Sequence, residues 1–154
     1  MRAVLTSAFG FGLALATVAP VLANPAADCS LTTNDPADVV GACSTLLTEE
    51  KTAEPWMYFN RGLAYKMLGQ LERAYRDYSK AIELNPSFAP AYTNRGNLRL
   101  LLNDVAGAMA DFRTALKFDP GDQVAHENLR AIKAALQKVG ANKSGKGVIT
   151  RPAR

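Results

Sequence analysis

The sequence repeats itself at one fixed spacing, and this period constrains the fold more than any other feature of the chain. Residues 55–87 align without a gap on residues 89–121. Ten positions carry the same or a similar residue: Tyr58/Tyr92, Asn60/Asn94, Arg61/Arg95, Gly62/Gly96, Ala74/Ala108, Asp77/Asp111, Tyr78/Phe112, Ala81/Ala115, Leu84/Phe118 and Pro86/Pro120. So many matches at one spacing indicate a structural unit that is built twice.

Each copy reads as two helices separated by a short polar break. The first copy predicts helices near residues 55–68 and 71–84, with a break at Gly69-Gln70. Pro55 suits the first turn of a helix, whereas Pro86 cannot continue one. The second copy breaks at residues 103–104 and stops at residues 119–121. The unit is therefore expected to be a helical hairpin.

Small residues fall where the two helices of a hairpin are expected to meet. Gly62 and Gly96 stand in the middle of a helix, where glycine costs about 1 kcal/mol relative to alanine. We expect them to face Ala74 and Ala108, so that the helices approach closely while aromatic side chains fill the surrounding space. Such a hairpin cannot bury its apolar face alone and must stack on a neighbour.

These positions resemble those of the tetratricopeptide repeat family. The first copy fills all seven places of that family's pattern, with Tyr58, Gly62, Tyr65, Ala74, Tyr78, Ala81 and Pro86. The second copy keeps six, but Arg99 stands where the second aromatic belongs, and we expect it to expose a charge at an edge. The resemblance implies an all-α fold, a short right-handed solenoid of antiparallel helix pairs, with units at residues 55–88 and 89–122.

Helices are also predicted on both sides of the two units. Asp35 and Pro36 are suited to begin a helix, and an apolar stripe of Val39, Cys43, Leu46 and Leu47 follows. Within residues 24–54 this helix would be a degenerate leading half-repeat. Residues 123–139 form an amphipathic stretch that resembles the capping helix of the family, with Val124, Leu129, Ile132, Ala135, Leu136 and Val139 on one side.

The first residues have the pattern of a secretory signal peptide. Arg2 precedes an uncharged apolar run at residues 9–22, and small residues follow it. We expect a signal peptide at residues 1–23, cleaved after Ala23 or alternatively after Ala27, and an exported protein that is periplasmic or secreted. A retained membrane anchor is the competing interpretation, but the run is shorter than the roughly 20 residues that span a bilayer.

Cys29 and Cys43 are the two cysteines of the chain. Disulfides persist in oxidising compartments, so export favours a bridge between them. The bridge would close a loop of about 15 residues and contribute roughly 3 kcal/mol in the chain-entropy model. Two unpaired thiols are the alternative.

The C-terminal residues 140–154 carry the excess positive charge. This segment has four basic residues and no acidic one, and we expect a disordered tail. It has no aromatic residue on which bases could stack, so the nucleic-acid signal is weak. Loose contact with an anionic lipid or cell-wall polymer, or a contribution to solubility, fits its composition better.

The sequence offers few groups for catalysis or metal binding. The chain has one histidine, His126, at the repeat position of Tyr58 and Tyr92, where we expect it to pack or to cap a helix. Residues 140–146 match the G-x-x-x-x-G-K pattern of nucleotide-binding loops. That motif requires a preceding strand, a following helix and a Ser or Thr after the lysine, where this chain has Gly147. We therefore expect no enzyme activity, no cofactor and no metal.

The family resemblance implies that the first helix of each pair lines a concave face that binds peptides. By position, this face carries Trp56, Phe59, Asn60, Leu63 and Lys66, then Thr93, Asn94, Asn97 and Leu100, and finally Glu127 and Asn128. The recurring asparagines at positions 60, 94 and 128 either hydrogen-bond a ligand backbone or tie neighbouring helices together. Phe59 and Thr93 stand where some members carry the lysines of a carboxylate clamp, so such a clamp is not expected. Arg61 and Arg95 are expected to face solvent or a neighbouring helix.

The function expected from these features is that of an exported interaction module, which binds a partner protein or peptide on its concave face. The alternative is a structural or assembly factor of a cell-envelope complex, acting through self-association or packing without a peptide ligand. The sequence leaves the oligomeric state open.

Overall fold

The computed structural model describes residues 29–30, 35–49 and 53–144, with side chains described as far as residue 139. Within this part the chain forms six α-helices: α1 (Pro36–Glu49), α2 (Pro55–Met67), α3 (Leu71–Leu84), α4 (Ala89–Leu101), α5 (Val105–Phe118) and α6 (Gln123–Ser144). The predicted signal peptide and the tail beyond residue 144 lie outside the described residues. No helix in the described part is both long enough and apolar enough to span a bilayer.

The helix boundaries follow the sequence signals closely, with one exception. The main chain of Ala37 donates to Asp35 Oδ1 at 2.8 Å, and Asp104 Oδ1 accepts from the main chain of Gly107 at 2.9 Å. α6 ends at Ser144, so it passes the boundary predicted at residue 139 and takes up the start of the predicted tail. No proline interrupts this stretch, and Gly140 costs a helix only about 1 kcal/mol.

The two hairpins turn through a left-handed residue at the same place in each unit. Gly69 has φ 73°, and Asn103, at the equivalent position of the second unit, has φ 61°. Glycine reaches this region without strain, and asparagine tolerates it better than most residues. The polar breaks of the sequence are therefore the turns between α2 and α3 and between α4 and α5.

Glycine brings the two helices of each hairpin together, but the group it faces is an aromatic ring rather than the expected alanine. A Cβ atom added at Gly62 would lie 2.8 Å from Tyr78 Cε1, and one at Gly96 would lie 2.8 Å from Phe112 Cε1. Ala74 packs instead with Leu98 of the next unit. The aromatic ring occupies the space left free because glycine has no side chain. The small side chain of Ala74 allows the first helix of the next unit to pack closely.

The core consists of successive layers between neighbouring units. The first layer joins α1 and α2 through Cys29, Val39, Cys43, Leu46, Met57 and Ala64. The second joins α3 and α4 through Ala74, Tyr78 and Leu98. The third joins α5 and α6 through Ala108, Phe112, Ala115, Ala125, Leu129 and Ile132. This layered core confirms the predicted stack of helix pairs with a helix at each end.

Cys29 and Cys43 form the expected disulfide, with Cα atoms 4.7 Å apart. Both residues are fully buried in the first layer. The bridge holds the segment at Cys29 against α1 and α2, where the solenoid would otherwise present an open end.

Candidate functional site

A row of polar side chains crosses from α2 to α4 to α6. Lys66 Nζ donates to Asn94 Oδ1 at 3.3 Å, and Asn128 Nδ2 donates to Asn97 Oδ1 at 2.9 Å. These four residues, which we name the amide row, are all half-buried. They stand on α2, α4 and α6, and their two hydrogen bonds link α2 to α4 and α4 to α6. The amide row thus crosses both boundaries between these helices.

The recurring asparagines all make hydrogen bonds within the chain. Asn60 Nδ2 donates to the carbonyl of Cys29 at 2.9 Å, and Asn94 Nδ2 donates to the carbonyl of Pro90 at 3.0 Å. The Asn60 bond ties α2 to the segment at Cys29, whereas the Asn94–Pro90 bond lies within α4, and Asn94 and Asn128 link neighbouring helices through Lys66 and Asn97. These bonds do not use every polar atom, since no hydrogen bond within the described residues occupies Asn97 Nδ2 or Asn128 Oδ1.

Two of the expected concave residues pack inward. The ring of Phe59 lies 5.8 Å from that of Tyr78 and 5.2 Å from that of Phe88, measured between centroids. Thr93 is 6% exposed, and its hydroxyl donates to Asp122 Oδ2. Neither side chain is open to a ligand in the way the sequence position suggested.

The other expected concave residues remain accessible to different degrees. Leu63 and Leu100 are half-buried, Glu127 is exposed, and Trp56 is 36% exposed at the start of α2. Leu63 packs at the border of the second core layer and Leu100 at that of the third. The open part of the face therefore combines the amide row and the partly exposed sides of these leucines with Trp56 and Glu127.

A repeated arginine–aspartate pair joins the helices behind this face. Arg61 donates from Nε to Asp77 Oδ2 at 2.8 Å and from Nη2 to Asp77 Oδ1 at 2.9 Å. Its Nη1 also donates to Ser44 of the preceding helix at 3.2 Å. The hydrogen bonds to the Asp77 carboxylate raise the pKa of Arg61 even though burial opposes this. The pair fixes α2 to α3 and to α1 at once.

The second unit repeats this arrangement. Arg95 donates to both oxygens of Asp111, at 3.0 and 2.8 Å, and from Nη1 to Ser79 at 3.2 Å. Burial is the largest single effect and would lower the pKa of Arg95, but the hydrogen bonds to Asp111 and the attraction of its charge and of the nearby tyrosines together outweigh it, so the pKa is raised. The sequence reasoning noted that arginine and aspartate recur but assigned the arginines no contact. Their equal separation along the chain in both copies is the signal that could have paired them.

Arg99 is not the exposed edge charge that the sequence suggested. Its side chain is 20% exposed, and Nη1 lies 2.9 Å from Asp111 Oδ2. Nη2 donates to the hydroxyl of Tyr75 in the preceding unit at 3.0 Å. Asp111 and the Tyr75 hydroxyl bind the two Nη groups of the arginine that replaces the aromatic, whereas its buried Nε has no hydrogen-bond partner among the described residues. Arg99 is therefore an internal link between the two units.

His126 has the structural role that the sequence favoured. Its Nε2 lies 3.0 Å from the carbonyl of Pro120, and Tyr92, at the equivalent position, donates its hydroxyl to the carbonyl of Pro86 at 3.2 Å. Both side chains hold the turn before their helix. Among the residues that the structure describes, no group of three or more His, Cys, Asp or Glu side chains is placed to hold a metal ion.

Comparison with protein families identifies the repeated unit. Residues 55–88 match a family model described as tetratricopeptide repeat, and residues 78–110 match a second model with the same description. Among curated proteins, no sequence matches the chain.

Solved structures with the same arrangement include several tetratricopeptide repeat domains. The second such domain of human RPAP3, solved with the HSP70 peptide SGPTIEEVD, is 28% identical with a TM-score of 0.58, covering 64% of this chain and 81% of that one. The first such domain of Spaghetti (RPAP3), bound to the HSP90 peptide SRMEEVD, is 27% identical with a TM-score of 0.60, covering 66% and 80%. The Arabidopsis OM64 domain is 26% identical with a TM-score of 0.61, covering 65% and 82%.

Proposed function

We propose that this chain, whose residues 55–110 match two models of the tetratricopeptide repeat, is an exported interaction module that binds a short segment of a partner protein. The segment lies across the first helices of the units, α2, α4 and α6. The amide row fixes the register of the partner's main chain, and Leu63 and Leu100 receive its apolar side chains. The module binds and positions its partner without performing a reaction.

The unused hydrogen-bonding capacity of the amide row carries this proposal. Asn128 and Asn97 hold each other in place through one hydrogen bond, and each keeps a polar atom available on the face. Because their orientation is fixed before binding, little side-chain entropy is lost when a ligand arrives. The main chain of an extended peptide can accept a hydrogen bond from Asn97 Nδ2 through a C=O group and donate one to Asn128 Oδ1 through an N–H group.

The peptide complexes of the similar domains support a peptide as the class of ligand. Two domains that are 28% and 27% identical to this chain were solved with short acidic chaperone peptides. In this chain Phe59 packs between aromatic rings and Thr93 is buried, so neither position supplies a cation for a terminal carboxylate. We therefore propose an internal or mixed apolar and polar segment as the ligand.

Two features of the chain support a location outside the cytosol. The apolar run at residues 9–22 has the pattern of a signal peptide. The buried disulfide between Cys29 and Cys43 favours an oxidising compartment, since such bridges are rare in the cytosol. The partner is therefore expected to be another protein of the periplasm or the extracellular space.

The experiment that tests the proposal selects ligands from a displayed library of random peptides on the immobilised full chain. We expect enrichment of peptides that share apolar positions, and their dissociation constants are then measured by calorimetry. The double variant Asn97→Ala and Asn128→Ala should bind the selected peptides at least about tenfold more weakly. Each hydrogen bond to the peptide that is lost costs about 1 kcal/mol or more of binding free energy.

Gln137→Ala provides the matched control, because Gln137 is an exposed amide on α6 outside the amide row. It should leave the affinity unchanged. Equal affinity of the double variant and the control, with intact helical circular dichroism, would contradict the proposal.

A structural role without a peptide ligand is the second candidate function. The hydrogen bond of Asn60 to Cys29 and that of Lys66 to Asn94 support it, because both amides then contact neighbouring parts of the stack. Sedimentation over a wide range of concentrations distinguishes the two. Self-association that the Asn97 and Asn128 variants do not disturb would support the structural role.

A further inference from the structure

Exposed aliphatic side chains recur where the first helices of the units end. Met67 and Leu68 end the first helix, and Leu101 and Leu102 stand at the equivalent positions of the second unit. Leu136 occupies the same place on α6. With the neighbouring Val105 and Val139, these residues form a surface that we name the apolar edge: Met67, Leu68, Leu101, Leu102, Val105, Leu136 and Val139.

The packing of the solenoid does not account for this surface. The exposed fractions are 67% for Met67, 64% for Leu101 and 53% for Leu136. Of the eleven large hydrophobic side chains exposed in the described part of the chain, seven lie on the apolar edge. Such a concentration of apolar surface usually marks a contact site.

These equivalent positions on α2, α4 and α6 lie side by side. Leu102 lines a cleft of about 460 Å³ together with the turn of the preceding unit, at residues 69–73. On α6, Ala125 and Ile132 are buried as Ala91 and Leu98 are on α4. Since each of these residues on α6 lies one repeat period after its counterpart on α4, α6 takes the orientation of α4, and Leu136 takes the place of Leu102.

Positive charge accompanies the apolar edge. Arg73 and Arg76 are exposed beside the cleft, and Lys138 is exposed on the projecting part of α6. The acids on this side, Glu72 and Asp104, each lie within 4.0 Å of an arginine, at 4.0 Å from Arg76 and 3.5 Å from Arg99.

The sequence beyond the last helix continues this charge. α6 ends at Ser144 on the side of the apolar edge, and residues 145–154 contain Lys146, Arg151 and Arg154 with no acid. The helix ends on the opposite side carry charges of both signs, since Glu83 pairs there with Lys80 at 2.8 Å. The sequence that follows α6 is basic without a compensating acid.

We propose that the apolar edge docks on the surface of an anionic lipid bilayer. The aliphatic side chains reach the boundary of the acyl chains, and the exposed side chains of Arg73, Arg76 and Lys138 contact the headgroups. Shallow apolar insertion combined with basic residues is the combination that gives peripheral proteins a stable hold on anionic membranes. The concave face then remains free for a partner.

The composition of the edge favours lipid over a protein partner. Its apolar residues are methionine, leucine and valine, whereas the aromatic anchors that dominate protein interfaces are tryptophan and tyrosine in closed pockets. Aliphatic side chains on a projecting edge fit a fluid acyl boundary better than a shaped protein surface.

The test measures where the protein touches the bilayer, because the apolar run at residues 9–22 of the full chain can partition by itself. Trp56, the one tryptophan of the chain, is replaced by Phe, and Leu101→Trp places a reporter on the apolar edge. Phosphatidylglycerol vesicles with brominated acyl chains should quench this reporter. Quenching should weaken between about 50 mM and about 500 mM salt, because screening reduces the attraction to the headgroups.

Val124→Trp in the same background is the matched control, since Val124 is 48% exposed at the opposite end of α6. It should not be quenched. Met67→Trp serves as a second reporter if the Leu101 variant folds poorly by circular dichroism.

The proposal is overturned if both edge reporters stay unquenched, which would leave the edge to a protein partner. It is equally overturned if the Val124 reporter is quenched as strongly as they are. Equal quenching by brominated phosphatidylcholine alone would remove the requirement for anionic lipid.

Discussion

Gly62 lies directly against the ring of Tyr78, and a Cβ atom at this glycine would stand 2.8 Å from Tyr78 Cε1 and 2.9 Å from Cδ1. Tyr78 is fully buried, so its ring has no solvent into which to move. Gly62→Ala should therefore lower the free energy of unfolding by about 1–3 kcal/mol through overpacking. Urea denaturation followed by circular dichroism measures this loss.

Gly41→Ala is the control for that substitution. Gly41 is also in a helix, α1, but nothing lies within 4 Å of an added Cβ atom. Alanine should stabilise the helix there by up to about 1 kcal/mol. Equal effects of the two substitutions would contradict the close approach at Gly62.

The hydroxyl of Tyr78 is buried and has no hydrogen-bond partner in the described part of the protein. Phe112 occupies the equivalent position in the second unit without a hydroxyl. Tyr78→Phe should thus leave stability unchanged or raise it by about 1 kcal/mol, because an unsatisfied buried polar group is removed. If urea denaturation shows that Tyr78→Phe lowers the free energy of unfolding by more than about 1 kcal/mol, the hydroxyl does have a hydrogen-bond partner.

Burial, together with the charge of Asp77, raises the pKa of Tyr78 above its ordinary value of 10.0. The folded state therefore holds a proton that the unfolded chain loses above about pH 10, so this residue lowers stability as the pH rises past that value. The slope approaches about 1.4 kcal/mol per pH unit. Tyr78→Phe should lose less stability than the parent between about pH 9 and about pH 11, as measured by denaturation at each pH.

Asp111 holds two arginines, Arg95 and Arg99, and is 3% exposed. Asp111→Ala removes this carboxylate from both guanidinium groups in a largely buried place, and only Arg99 keeps a second acid, Asp104 at 3.5 Å. The free energy of unfolding should fall by about 2–4 kcal/mol. This is less than for a fully buried ion pair, because both arginines keep some exposure to water. Thermal unfolding reports it, and Glu72→Ala, which removes an exposed acid, should cost less than about 0.5 kcal/mol.

The network around Asp111 also shows where sequence reasoning reaches its limit. The helix boundaries, the turns and the stacking order follow from signals such as Pro55, Gly69 and the period of the repeat, because each can be read along the chain. The contacts of Arg99 depend on Tyr75 in another unit and on Asp111 across the hairpin, so no local pattern indicates them. The same holds for Thr93 and Asp122, which meet only once α6 packs on α5.

Cys29 is held in the fold by two interactions. It is bonded to Cys43, and its carbonyl accepts the amide hydrogen bond of Asn60 at 2.9 Å. In the oxidised protein both thiols should resist alkylation, and two labels should appear by mass spectrometry only after reduction. Cys29→Ser should lower stability by roughly 3 kcal/mol, and Asn60→Ala by only about 1 kcal/mol. If the two variants lose the same stability, the hydrogen bond rather than the bridge holds this end of the solenoid.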